Sequence, residues 1–147
     1  MEHYSKLFTK ANNVEFLKQN RYGEVLPFKD NLVELKVGEN SGLLDFYVNA
    51  SYVSSGVKGG EQAFIATQGP MGVTEGRFWQ MIWENEVKLI CMLCMCFEGK
   101  SDKCSEYWVT KETSPKKAGQ FELEHVSTTE VVKNLVKTKI KITNAST

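Results

Sequence analysis

The chain has 147 residues, 41% of them hydrophobic, and 18 Lys and Arg balance 18 Asp and Glu for a formal net charge of +0 at pH 7. That length suits one domain with a sizeable core, since single domains commonly fall near roughly 100 to 150 residues. Balanced charge gives no basic stripe for nucleic acid and no footprint for an anionic membrane, which points to protein or small-molecule partners. The opening MEHYSKLFTK lacks an apolar signal core and no segment reaches membrane-spanning length, so the expected location is cytoplasmic.

Along the chain, Leu7, Ala11, Val14 and Leu17 recur at helical spacing, leaving Lys6, Lys10, Glu15 and Lys18 toward water and predicting a first helix that ends near Asn20. Leu32 to Leu35 reads as a short strand, followed by a polar, glycine-bearing connection from Gly38 to Leu44. Tyr47 to Val53 and Ala63 to Thr67 are strands joined through Gly56, Gly59 and Gly60, which predicts a hairpin. Thr74 is placed to cap a helix running to about Asn85, with Glu75 at its positive end and Phe78, Trp79, Ile82 and Trp83 facing inward. Val87 to Phe97 is a nearly unbroken apolar run, the pattern of a strand covered on both faces. Val136, Thr138, Ile140 and Ile142 alternate with Lys137, Lys139 and Lys141, a half-exposed strand whose antiparallel partner is Phe121 to Thr129 and whose turn is Glu130 to Asn134.

Three of the four cysteines, Cys91, Cys94 and Cys96, lie inside that apolar run, and reduced, buried thiols are expected. Cys91 and Cys94 have the spacing of a zinc half-site. A strand, however, sends residues three apart to opposite faces, no second Cys-x-x-Cys exists, and His3 and His125 lack ligand spacing. Redox Cys-x-x-Cys chemistry would need the first cysteine at a helix N-terminus, whereas Cys91 sits mid-run. No metal or cofactor is expected.

Five blocks carry more information together than apart: Gln19-Asn20-Arg21-Tyr22, Tyr47-Val48-Asn49-Ala50-Ser51, Thr67-Gln68-Gly69-Pro70, Phe78-Trp79-Gln80-Met81-Ile82-Trp83-Glu84 and Lys103-Cys104-Ser105-Glu106-Tyr107-Trp108. Read singly, Tyr22 is a loop tyrosine, Asn49 a buried amide that must hydrogen-bond inward, and the tryptophan helix a core element. In order and spacing, the set resembles the cysteine-dependent protein tyrosine phosphatase domain over its first half or slightly more. The resemblance implies an α/β (α+β) fold with a twisted mixed sheet flanked by helices, residues 1–147 forming the N-terminal portion of the domain. It implies phosphotyrosine proteins as partners, and substrate recognition by Asn20, Arg21, Tyr22 and Glu24. Tyr22 would stack on the phenyl ring, and the depth of the slot would reject shorter phosphorylated side chains. Glu24 stands where family members often carry aspartate, keeping the charge on a longer reach. Glu98 and Lys103 resemble a supporting pair beside the active site, where the glutamate braces an arginine and the lysine approaches the acid loop.

The chemistry itself needs a thiolate in a phosphate-cradling loop closed by arginine, His-Cys-x-x-Gly-x-x-Arg, and an acid in a Trp-Pro-Asp loop. The position six residues on from each cysteine holds Phe97, Lys100, Asp102 or Thr110, and Arg21 and Arg77 both precede every cysteine. Lys100 is a point charge and does not replace a rigid guanidinium fork. No catalytic residue is therefore assigned. Two readings follow: part of an active phosphatase whose function belongs to the complete domain, or a non-enzymatic half-domain serving as an interaction surface. Self-association or a complementing C-terminal half is expected, because the 87–97 strand would be left with an open apolar edge.

Overall fold

The computed structural model of the chain describes residues 14–39, 41–42 and 44–145. The β-branched and aromatic run at its centre forms strand β2 (Tyr47–Val53), flanked antiparallel by β1 (Leu32–Glu34) and β3 (Phe64–Thr67). The β2–β3 register, Ala50 opposite Thr67 through Val53 opposite Phe64, is that of the predicted hairpin. Helix α1 (Val14–Leu17) is a single turn, and it ends by Asn20 as expected. The predicted helical positions at Lys6, Leu7, Lys10 and Ala11 lie outside the described residues. Within the turn, Phe16 is the buried residue while Val14 and Leu17 are exposed, contrary to the predicted stripe. The Phe16 ring finds an aromatic partner in Tyr47, 5.0 Å between centroids, and that contact sets the rotation of the turn.

Helix α2 (Glu75–Glu84) follows a 3-10 turn at Gly72–Thr74. Thr74 is at the N-cap, but its hydroxyl serves the 3-10 turn instead, accepting from Met71 N–H at 3.0 Å. Glu75 is held at the positive end of the helix by Lys116, at 2.7 Å. Phe78, Trp79, Met81 and Ile82 are buried, whereas Trp83, expected inside, is 43% exposed. Trp83 is at the rim of the buried face, with its ring laid against Phe121 at 5.7 Å. Close packing of α2 on the last sheet requires two glycines: a Cβ on Gly76 would stand 3.1 Å from the Cα of Gly119, whose φ is +62°.

The largest departure from expectation is at 87–97. Only Phe97–Glu98 (β4) is paired, in a two-stranded hairpin with Ser101–Asp102 (β5). Residues 87–96 belong to no ladder, and Leu89, Leu93 and Met95 are exposed, Leu93 to 95%. An apolar run forms a central strand only where neighbours supply its ladder, and among the described residues none pairs with 87–96. The last sheet orders β6 (Lys116–Ala118), β7 (Phe121–Val132) and β8 (Leu135–Asn144), all antiparallel. Its turn is tighter than predicted: Lys133 and Asn134 make it, with Asn134 at φ 68°, and Glu130 is already paired in β7. Alternation holds for Thr138, Ile140 and Ile142, but Val136 is exposed near the tip of the ribbon.

Among the described residues two buried clusters form, a small one of Phe16, Leu32, Phe46 and Tyr47 and a larger one that joins α2 to both three-stranded sheets. Trp79, Phe78 and Met81 from α2 pack with Val33, Val48 and Ala50 of the first sheet and Phe121 and Leu123 of the last, and Cys104, Tyr107 and Val109 enter from the connecting segment. The α+β class is as expected. Among the described residues no helix is long and apolar enough to cross a membrane.

Candidate functional site

A buried amide organises the loop that carries the predicted recognition residues. Asn20, 7% exposed, donates to Phe16 C=O at 2.9 Å, and its Oδ1 accepts from Tyr47 Oη at 2.6 Å and Asn49 Nδ2 at 2.8 Å. Asn49 also donates to Val25 C=O at 2.8 Å, fulfilling the inward bonding expected of it and holding the far side of the loop. With its polar atoms satisfied, this node fixes where α1 ends and where Tyr22 begins.

Arg21 is a fastener. Its Nε donates to Gly69 C=O at 3.2 Å, Nη2 to Pro70 C=O at 2.9 Å and Nη1 to Asp102 C=O at 2.9 Å, and the side chain is only 9% exposed. Gln68 closes the same joint, accepting from Arg21 N–H and donating to Gln19 C=O, both at 2.9 Å. The guanidinium thus points at three backbone carbonyls of the surrounding turns, an arrangement a lysine could not reproduce. Gln68 and Asp102 were not singled out from the sequence. The Gln-Gly-Pro turn carried the only signal: a Cβ at Gly69 would meet Lys103 C=O at 2.5 Å and Cys104 Sγ at 3.2 Å, so the turn sits directly on the Cys104 segment.

Tyr22, 43% exposed, stands beside this joint with its hydroxyl accepting from Lys103 Nζ at 2.8 Å and the ammonium 5.4 Å from the ring centroid. Lys103 Nζ is also 3.9 Å from Glu98 Oε2, across the β4–β5 hairpin. The hydrogen bond to the Tyr22 hydroxyl is the largest cause holding the Lys103 pKa above its ordinary value. The structure therefore brings Asn20, Arg21, Tyr22, Lys103 and Glu98 into one connected surface. Glu24 is exposed further along the loop.

The cysteines depart from the buried set predicted. Cys104 is buried, but Cys91 and Cys94 are exposed and Cys96 is half-buried, because the segment that carries the last three has no covering layer among the described residues. Burial pushes the Cys104 thiol up to about 12 and the Tyr107 hydroxyl up to about 12, with neighbouring thiols adding to both. These raised values fix a sign. The ordinary values are 9.0 for the thiol and 10.0 for the phenol, so the folded state holds both protons more tightly than the unfolded chain. Their stabilisation is complete below about pH 9 and is lost as pH rises through about 12. The urea midpoint is expected to fall steadily between pH 9 and 11 while remaining flat from 7 to 8.5; a midpoint constant to pH 11 would refute the burial argument. Among the described residues no group of three or more His, Cys, Asp or Glu is arranged to hold a metal ion.

Comparison with known proteins places this surface in context. The family described as protein-tyrosine phosphatase matches residues 16–147. The chain is 43% identical over 94 residues to mouse receptor-type tyrosine-protein phosphatase eta, covering 64% of this chain and 7% of that protein. It is 44% identical over 94 residues to human tyrosine-protein phosphatase non-receptor type 12, covering 64% of this chain and 12% of that protein. The solved catalytic domain of human protein tyrosine phosphatase non-receptor type 18 superposes with a TM-score of 0.77 at 25% identity, over 97% of this chain and 55% of that one. The same phosphatase, solved with a HER2 phosphopeptide, gives 0.78 at 25% identity, over 97% and 53%. The chain thus spans about half the length of the solved relatives and a small part of the curated ones.

Proposed function

The chain belongs to the protein-tyrosine phosphatase family, and from that premise we propose that it supplies the phosphotyrosine-recognition side of a phosphatase domain, residues 1–147 being its N-terminal portion and catalytically inactive alone. The observation that carries this reading is the exposed Tyr22, supported from below by the Asn20 node and the Arg21 joint and from the side by Lys103, in a sequence with no arginine six residues after any cysteine. A half-exposed ring on a rigid base is what stacking on a substrate phenyl ring requires. Asn20 and Arg21 hold that wall in place, exposed Glu24 would reach the backbone of the substrate peptide, and Glu98 with Lys103 buttress the ring. The phosphate-gripping loop comes from a complementing C-terminal segment carrying Trp-Pro-Asp and His-Cys-x-x-Gly-x-x-Arg, the substrate class is protein phosphotyrosine, and the setting is cytoplasmic.

The test is reconstitution. Joined to such a segment, in one chain or as two, the protein is expected to hydrolyse phosphotyrosine peptides, and Tyr22→Ala to lower kcat/KM about three- to tenfold, the worth of one stacking contact. Thermal stability should barely move. Equal kinetics for Tyr22→Ala and parent would count against the recognition role.

A second reading, a non-enzymatic interaction module, draws on the exposed apolar segment at 87–97. Exposed Leu89, Leu93 and Met95 lie on a stretch that belongs to no ladder, a template for pairing with another chain. On the complementation reading the purified chain associates in light scattering, and Leu89→Lys with Leu93→Lys shifts it toward monomer. A monomeric parent with a sharp cooperative transition would mean the half folds independently, and would favour the interaction-module reading over the complementation reading.

A further inference from the structure

We propose that the outer face of the β7–β8 ribbon docks on an anionic phospholipid bilayer, with Lys137 and Lys139 at the level of the lipid phosphates and Val132 and Leu135 dipping below them. Register decides which side chains share that face. Leu123 pairs with Ile142 and His125 with Ile140, and Leu123, Ile140 and Ile142 pack on the core, so the alternate pairs look away from it. β8 alternates without a break from Leu135 to Asn144, and its partners follow. From the body to the tip, the outward pairs are Glu124 with Lys141, Ser127 with Lys139, Thr129 with Lys137 and Val132 with Leu135.

Charge is sorted by face. Glu124 is neutralised by Lys141 at 2.7 Å, and Glu130 pairs with Val136 on the opposite face, its carboxylate accepting from Asn134 N–H at 3.3 Å. Among the described residues Lys137 and Lys139 have no carboxylate within ion-pair distance. Lys133 at the turn adds a third ammonium group. The charge that balances over the whole chain is thus locally basic at the far end of the ribbon. The same end is apolar, Val131, Val132, Leu135 and Val136 each being more than half exposed. A bilayer suits this surface better than a protein groove. Protein hot spots are carried by Trp, Tyr and Arg, and residues 126–139 contain none of them. Lysines on flexible stems beside branched aliphatic side chains fit a fluid anionic surface, the ammonium groups reaching the phosphates while the carbons leave water. Docking of this kind would bring the recognition loop to phosphorylated proteins at a membrane.

Co-sedimentation of the full chain with vesicles tests the proposal, three parts phosphatidylcholine to one of phosphatidylserine against phosphatidylcholine alone. Binding is expected to the anionic vesicles only, weakening as salt screens the exposed charges. Lys137→Glu with Lys139→Glu is expected to lower the bound-to-free ratio about tenfold or more, and Val132→Ser with Leu135→Ser a few-fold. Lys58→Glu with Lys100→Glu, the same charge change at exposed positions off the ribbon, is expected to cost much less. Leu89→Ser with Leu93→Ser, on the exposed apolar segment, is expected to bind as the parent does. Equal loss in the two charge pairs would mean adsorption by net charge, and loss on Leu89→Ser with Leu93→Ser would assign the vesicles to the 87–96 segment. Either result overturns the docking face. So would equal binding to phosphatidylcholine alone, no binding to either vesicle, or a change of oligomeric state on Leu135→Ser without vesicle binding, which would mark a protein partner.

Discussion

Purified as 147 residues, the chain is expected to release phosphate from an aryl phosphate no faster than buffer, a shortfall on the order of 10⁶-fold or more against a complete thiol-phosphatase site. Nucleophile, clamp and acid fail together. Cys104 is the one cysteine near a guanidinium, yet its thiol is pushed up to about 12 by burial, so almost none is thiolate at neutral pH. Arg21 lowers that value only slightly against the rest, and its donors are committed to Gly69, Pro70 and Asp102 carbonyls. A phosphate approaching this site would have to unfasten the loop to gain an arginine. Exposed Cys91 and Cys94 have no arginine six residues on and so no cradle. Turnover that survives rigorous purification and disappears on Cys104→Ser would falsify this account.

Trp79→Ala is expected to cost about 3–5 kcal/mol, enough to leave little cooperative folding in a domain whose total is about 5–15. Trp79 is 1% exposed, packs edge-on to Phe78 at 5.5 Å and donates from Nε1 to Tyr107 C=O at 3.1 Å. It thereby ties α2 to the segment that carries Cys104 and Lys103. Trp83→Ala, four residues on, removes a ring that is 43% exposed and is expected to cost about 1 kcal/mol. Urea titrations followed by near-UV circular dichroism separate the two, and equal midpoints would show that the core is not centred on Trp79.

Much of this was legible from the residues. Strand β2 and the hairpin with β3 follow from β-branched and aromatic alternation bounded by glycines, a local signal that the tertiary structure only confirms. Asn49 between apolar neighbours had to bond inward, and it does. Trp83 was misplaced because helical spacing gives an angle and not the width of the surface it meets, and that surface is set by Phe121, far along the chain.

By itself, the sequence determined the family, the α+β class, the Asn20-Arg21-Tyr22 block and the missing Cys-to-Arg spacing, because each is written in local order and residue type. Tertiary structure alone decided that Arg21 is a fastener on three carbonyls, that Lys103 reaches Tyr22, and that Cys104 is buried while Cys94 is open. It also decided that residues 87–96 of the apolar run are not a paired strand. Hydrophobicity selects what a segment prefers to bury, but a strand exists only when other backbones complete its hydrogen bonds, and those partners are not a property of the segment.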